Sequence, residues 1–197
     1  TSICILFLSV FFGTCQANSE KKEWSNEEAM VKAMEWQEQH PIFALAPTDW
    51  TNGAYYVGVS KAFQTTQDQR YLAALKTMGY RNEWKPLHRT HHADDIAIAY
   101  SYLFIHTTRK NLVDLEPSKT WLDEHLFQPT EWNKDNKGIQ KTLWWWCDAL
   151  FMAPPVIAYY SKLTGEEKYL EAMHKYYMET YDLLFDQNEK LFARDLR

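Results

Sequence analysis

Cysteine is scarce in this chain: three in 197 residues, at positions 4, 15 and 147. Two of them lie in or beside an N-terminal apolar run, which leaves Cys147 alone beyond it. One thiol builds neither a disulfide framework nor a thiolate metal cluster. Nothing marks Cys147 as a thiol of depressed pKa, so a buried structural role is expected rather than nucleophilic work. Basic blocks are missing too. With 21 Lys and Arg against 26 Asp and Glu, the net charge is −5, and a nucleic-acid or anionic-membrane partner has no electrostatic support. Gly-rich phosphate loops, a serine nucleophile motif and the dinucleotide fingerprint are all absent, so no cofactor is implied. Alternating strand patterns are rare, and the six glycines and seven prolines fall mainly between segments.

The apolar run from Ile3 to Phe12 has the length of a signal-peptide core and is too short to span a bilayer. Cys15-Gln16-Ala17 before Asn18 reads as a small-residue cleavage site. Residues 1–17 are therefore expected to be a signal peptide and the mature chain to be exported, periplasmic or extracellular. A lipoprotein anchored at Cys15 is the alternative, with Thr14 an awkward predecessor. Because the chain opens on Thr1 without a basic segment, the start of the signal is expected to be missing and the sequence to be a fragment.

What is present is apolar, aromatic and helical in period. Hydrophobic residues make up 46% and aromatics 16% of the chain, with nine tryptophans, enough for one domain with a real core. Most of those rings are expected to fill the core, although indole faces also stack on sugar rings. Helices are predicted from Ser25 to Gln39, Gly53 to Thr65, Asp68 to Met78, Ala93 to Thr107, Ser118 to Phe127, Ala149 to Leu163 and Glu166 to Leu183. Two apolar arms around a polar turn, Leu184 to Ala193, predict a small β-hairpin. Thr66-Gln67-Asp68-Gln69-Arg70-Tyr71-Leu72 matches Thr164-Gly165-Glu166-Glu167-Lys168-Tyr169-Leu170 in kind, which makes the repeating unit an αα-hairpin. A degenerate middle copy is expected between Ile96 and Trp121. Stacked hairpins give a solenoid or a ring of helices; polar clusters at the starts of the apolar helices favour the ring.

Three such clusters carry the candidate chemistry. Asp49-Trp50-Thr51-Asn52-Gly53 precedes one apolar helix, with Thr51 or Asn52 as its expected cap and Trp50 and Asn52 as candidate ligand contacts. His91-His92-Ala93-Asp94-Asp95 precedes another. Metal-ligand spacing is poor there, since Ala93 separates histidine from aspartate, so no metal is expected. The third cluster sets Asp148 into the apolar segment Trp144-Trp145-Trp146-Cys147-Asp148-Ala149-Leu150. A carboxylate there is costly unless paired or protonated. Two readings stand: Asp148 caps the helix that follows, or it is chemically active. If the clusters converge, Asp148 in the more apolar setting is expected to have its pKa raised and to donate a proton, while Asp94 or Asp95 stays ionised.

These blocks, in this order, resemble glycoside hydrolases of families 88 and 105, the unsaturated glucuronyl and unsaturated rhamnogalacturonyl hydrolases. Leu191-Phe192-Ala193-Arg194-Asp195 is similar to a fourth family block, and the resemblance runs from about Trp24 to the last residue. It implies an all-α, (α/α)6 barrel of which residues 18–197 form the N-terminal part. It also implies hydration of a C4=C5 double bond in an uronic acid at the non-reducing end of lyase-generated oligosaccharides, most closely the rhamnogalacturonyl type. On that analogy Asp148 protonates C4 and activates the water that adds at C5. Asp95 takes the place of the family's second aspartate, or Asp94 if the register shifts by one, and Trp50, Asn52, His92, Asp94 and Trp146 surround the substrate. Another toroid sugar enzyme such as an epimerase, or a non-catalytic carbohydrate-binding toroid module, is the alternative. The chain departs from its relatives at Ala99-Tyr100, where a Gly-Gln pair is common. It supplies about seven of twelve helices, so these residues alone are expected to be inactive or poorly folded through an exposed apolar edge.

Overall fold

Ser25 opens the first helix with a reciprocal cap. Its hydroxyl accepts from Glu28 N–H at 3.2 Å and the Glu28 carboxylate accepts from Ser25 N–H at 3.0 Å, which satisfies two donors the helix itself cannot. The computed structural model describes residues 23–41, 45–128 and 142–195; the expected signal peptide, with Cys4 and Cys15, lies outside the described residues. The helices are α1 (Asn26–Gln39), α2 (Trp50–Thr66), α3 (Gln69–Arg81), α4 (Ala99–Thr108), α5 (Glu116–Phe127), α6 (Ala149–Thr164) and α7 (Glu167–Leu184), followed by strands β1 (Phe185–Asp186) and β2 (Leu191–Phe192). No helix among the described residues is long and apolar enough to cross a membrane.

The repeat read from sequence recurs as a repeated set of hydrogen bonds. Thr66 Oγ1 donates to Ala62 O and accepts from Asp68 N–H, and Thr164 Oγ1 donates to Tyr160 O and accepts from Glu166 N–H. Each hairpin then turns through one left-handed residue, Gln67 in the first copy and Gly165 in the second, and glycine is the residue that adopts this conformation without strain. Tyr71 and Tyr169, one turn into the second helix of each pair, are both fully buried.

Burial sorts the helices into layers. In α4 six of ten residues are buried and in α6 eight of sixteen, as in helices packed on more than one side. By contrast α7 buries only Tyr169, Thr180 and Leu184, as an outer helix does. α2, α4 and α6 pack side by side as an inner layer, with α3 against α2 and α7 against α6 outside them. Pro154 and Pro155 lie within α6 and withhold N–H donors from the carbonyls of Leu150 and Phe151, so the first turn is held to the rest by fewer bonds.

One expected helix starts differently. Ala93–Ile96 is a 3-10 turn, and the α-helix begins only at Ala99. The Asp95 carbonyl accepts from Leu87 N–H at 3.0 Å, and the segment turns with shorter-range bonds, Asp95 N–H to His92 O at 3.0 Å and Ala97 N–H to Asp94 O at 3.1 Å. The predicted hairpin is present, with Phe185 opposite Phe192 and Asp186 opposite Leu191. Asp186 Oδ1 accepts from the N–H groups of Asn188 and Glu189 at 2.7 and 2.9 Å, which ties the turn.

Candidate active site

The starts of the inner helices gather at one end of the molecule, and a glycine sets how closely. A Cβ at Gly53 would lie 2.9 Å from both Ala97 Cβ and Ile98 N, so only hydrogen lets the first turn of α2 approach the 93–98 segment. The cap of α2 is Asp49, not Thr51 or Asn52: Asp49 Oδ1 accepts from Thr51 N–H at 3.0 Å and Thr51 Oγ1 at 2.8 Å. That leaves Trp50 half-exposed at a cavity of about 450 Å³. Trp145, Trp146, Phe151 and Met152 complete the apolar wall, and His92, Asp94, Asp148 and Arg194 supply the polar groups. Two residues expected around the substrate thus fall elsewhere. Asn52 donates to Ala46 O at 3.2 Å and lines a different cavity, beside Glu38 and Arg81.

Asp95 is the second. Its side chain is fully buried and bound by Arg89, whose backbone N–H donates at 2.8 Å, Nη2 at 2.6 Å and Nε at 3.1 and 3.2 Å. This is a bracket that folds the 87–95 segment on itself. Asp94 lines the cavity instead. Its Oδ1 is buried without a hydrogen-bond partner. Burial is the main cause that pushes its carboxyl up to about 6, against the nearby Arg89 and reinforced by Asp95, Asp49 and Asp148. His92 lies with Nδ1 3.5 Å from Asp94 Oδ2 and its ring 4.6 Å from that of Trp146. Burial, then Arg89, pushes its imidazole down to about 4, so at neutral pH the contact is not an ion pair.

Asp148 is not the buried carboxylate that its apolar neighbours suggested. Its side chain makes no cap hydrogen bond; the cap function falls to its carbonyl, which accepts from Phe151 and Met152 N–H. The carboxylate is solvent-exposed and borders the cavity, because Trp144 is drawn into the core while the chain turns outward after Trp146. Desolvation acts on Asp94. Cys147 is half-buried, with Sγ 3.6 Å from Asp148 Oδ1, and burial followed by that carboxylate pushes its thiol up; this is the opposite of an activated nucleophile. Among the described residues no group of three His, Cys, Asp or Glu side chains is placed to hold a metal ion.

Three contributors escaped the sequence reading. Arg89 left a trace, a basic residue close before an acidic pair. Arg194 stood within the fourth block without a role. His125 left none: it is fully buried, with Nδ1 2.7 Å from Thr90 O and Nε2 accepting from Trp144 Nε1–H at 2.9 Å. Those partners fix the neutral tautomer with hydrogen on Nδ1, and burial pushes the ring down to about 3. The bridge ties the Trp144–Trp146 segment to the loop that carries His92 and Asp94.

Residues 16–197 match the profile of Glycosyl Hydrolase Family 88. The chain belongs to this family. Of the two families the motifs resemble, the match is to 88. An unsaturated 3S-rhamnoglycuronyl hydrolase of Formosa agariphila is 54% identical over 201 residues, which cover 100% of this chain and 53% of that protein. A protein of the same name from Alteromonas sp. is 30% identical over 161 residues, covering 75% of this chain and 39% of its own length. The chain thus spans about half the length, or less, of these relatives. Two solved structures share the architecture. A polysaccharide lyase superposes with a TM-score of 0.67 at 22% identity, covering 87% of this chain and 51% of its own. A family 88 glycosyl hydrolase from Bacteroides vulgatus gives 0.64 at 19%, covering 87% and 52%. The all-α, toroid-type fold of the family is therefore the fold of these helices.

Proposed function

We propose that this family 88 protein removes an unsaturated uronic acid from the non-reducing end of lyase-generated oligosaccharides by hydrating its C4=C5 double bond. The observation that carries the reading is the cavity itself: Asp94 and Asp148, from separate hairpins, face one space walled by Trp50, Trp145 and Trp146. Aromatic faces suit the C–H faces of a sugar ring. Two carboxylates divide proton work when their surroundings differ, and here one is half-buried and one exposed.

In the proposed reaction Asp148 gives a proton to C4, and water, losing a proton to the same carboxylate, adds at C5. The hemiketal so formed opens and frees the remaining sugar, so the acid is regenerated and no net proton is consumed. Asp148 needs its proton at the moment of reaction. A substrate seated in the cavity strips water from the exposed carboxyl and so favours the protonated form. Below about pH 6 Asp94 holds a proton and donates a hydrogen bond to a substrate oxygen; above it the carboxylate accepts one from a substrate hydroxyl, with His92 beside it. The names of the relatives support a rhamnoglycuronyl substrate, uronate linked to rhamnose, over a glycosaminoglycan fragment. The apolar run Ile3–Phe12 supports export to where polysaccharide is degraded.

The test is loss of the ultraviolet absorbance of the conjugated alkene on an unsaturated rhamnose-linked disaccharide. Asp148→Asn is expected to lower turnover by roughly 10²–10⁴-fold, the usual worth of a general acid–base group, while binding persists. Both are measured on the full-length protein: an unchanged turnover in Asp148→Asn sinks the assignment, and an alkene untouched by the wild type sinks the function.

A further inference from the structure

The cavity proposed to take an uronic acid is itself acidic. Asp94 and Asp148 line it, and Asp49 is near enough to act on Asp94. An uronic acid brings a carboxylate of its own, and like charges gathered without a counter-ion oppose binding. A cation has to meet it. Arg89 is engaged by buried Asp95 and does not line the cavity. His92 is neutral above about pH 4. Of the described residues that line the space, Arg194 is the one that carries a positive charge at neutral pH.

Its position is built by the fold. The hairpin turns the chain back after α7, Ala193 N–H donates to Leu184 O at 2.8 Å, and Arg194 O accepts from Cys147 N–H at 2.8 Å. Arg194 is therefore fastened to the residue that precedes Asp148. Its Nη1 donates to Asp195, whose side chain is 7% exposed while that of Arg194 is 68% exposed. A guanidinium has five N–H donors, so Asp195 steadies one end of the fork and leaves others for a ligand.

We infer that Arg194 is a specificity residue of this site, its guanidinium pairing with the carboxylate of the bound uronic acid. The inference rests on the function proposed above. A planar fork fits a carboxylate in two parallel hydrogen bonds, which a point charge does not do. The consequence for the reaction is geometric. In a C4=C5 uronic acid the carboxylate is attached to C5, so holding it fixes the plane of the double bond beside Asp148.

The experiment compares wild type, Arg194→Met and Arg194→Lys on an unsaturated disaccharide ending in the free acid and on its methyl ester. The wild-type protein should prefer the acid by about tenfold or more in kcat/KM, carried mainly by KM, as a charge-assisted pair does. Arg194→Met should lower kcat/KM on the acid by about tenfold or more and so bring the acid-to-ester ratio to near one, and Arg194→Lys should recover part of that ratio. Calorimetry with a saturated glucuronate-ended oligosaccharide against its glucose-ended counterpart supplies the second measurement. If the alkene is never consumed, the proposed function fails, yet an acid preference in binding that Arg194→Met abolishes still supports Arg194. A wild type indifferent to the acid, or an Arg194→Met that keeps the preference, overturns the inference.

Discussion

Asp95 gives its carboxylate to three nitrogens of Arg89, whereas Asp94, one residue earlier, is half-buried with one oxygen unpartnered. Burial without an adequate partner disfavours the charged form, which is why Asp94 is pushed up from 3.8 to about 6. The folded state then holds a proton that the unfolded chain has already lost. Below about pH 4 both states are protonated and Asp94 costs nothing. Between there and about pH 6 the unfolded chain ionises first, so stability falls as pH rises, and above about pH 6 the full cost remains. Asp94→Asn removes the charge and should raise stability at pH 7.5 by on the order of 2 kcal/mol. It should also flatten the fall between pH 4.5 and 6.5 in urea midpoints. A variant less stable than wild type at pH 7.5 would show that Asp94 has a partner that offsets its burial.

At the scale of elements, the site depends on how closely helices approach. Gly53 lets the first turn of α2 touch the backbone around Ala97 and Ile98, while Gly58, further along the same helix, faces open space. Backbone cannot yield as a flexible side chain can. Gly53→Ala should therefore cost about 1–3 kcal/mol by overpacking and weaken substrate binding, since Trp50 moves with the helix start. Gly58→Ala should do the opposite, stabilising by about 0.5–1 kcal/mol through helix propensity. Thermal unfolding of the two variants side by side checks both signs, and equal shifts would refute the packing argument. Much of this level was legible in the sequence. Caps, left-handed turns and apolar periods are local, so the αα-hairpins and the β-hairpin emerge within three residues of their expected limits. The helix expected from Ala93 was the exception, because the bond between Leu87 N–H and Asp95 O joins residues whose pairing no local period announces.

For the whole molecule, the inner and outer layers leave one flank apolar. A groove of about 530 Å³ between α1 and α2 is lined by Met30, Met34, Trp36, Tyr55, Val59 and Tyr71, and Trp36 is 60% exposed. Apolar area of this kind in contact with water drives association. These 197 residues prepared alone should self-associate with rising concentration in sedimentation velocity, and Met30→Glu with Trp36→Glu should suppress it. A monomer at every concentration would mean that the groove is better satisfied than its lining suggests.

Sequence alone determined the class of fold, the order of the hairpins and the three segments at the starts of the inner helices, because each follows from period, capping and composition within a few residues. It also singled out Trp50, Asp148 and the Asp94–Asp95 pair as candidates. Tertiary structure decided which aspartate faces the cavity, which carboxyl is desolvated, and that Asn52 turns away. Those outcomes depend on groups far apart in the chain: Thr90, His125 and Trp144 meet across 35 and 19 residues, and Arg194 reaches the cavity through a hairpin tied to Cys147. Side-chain burial and charge pairing are set by such distant neighbours, and no local pattern encodes them.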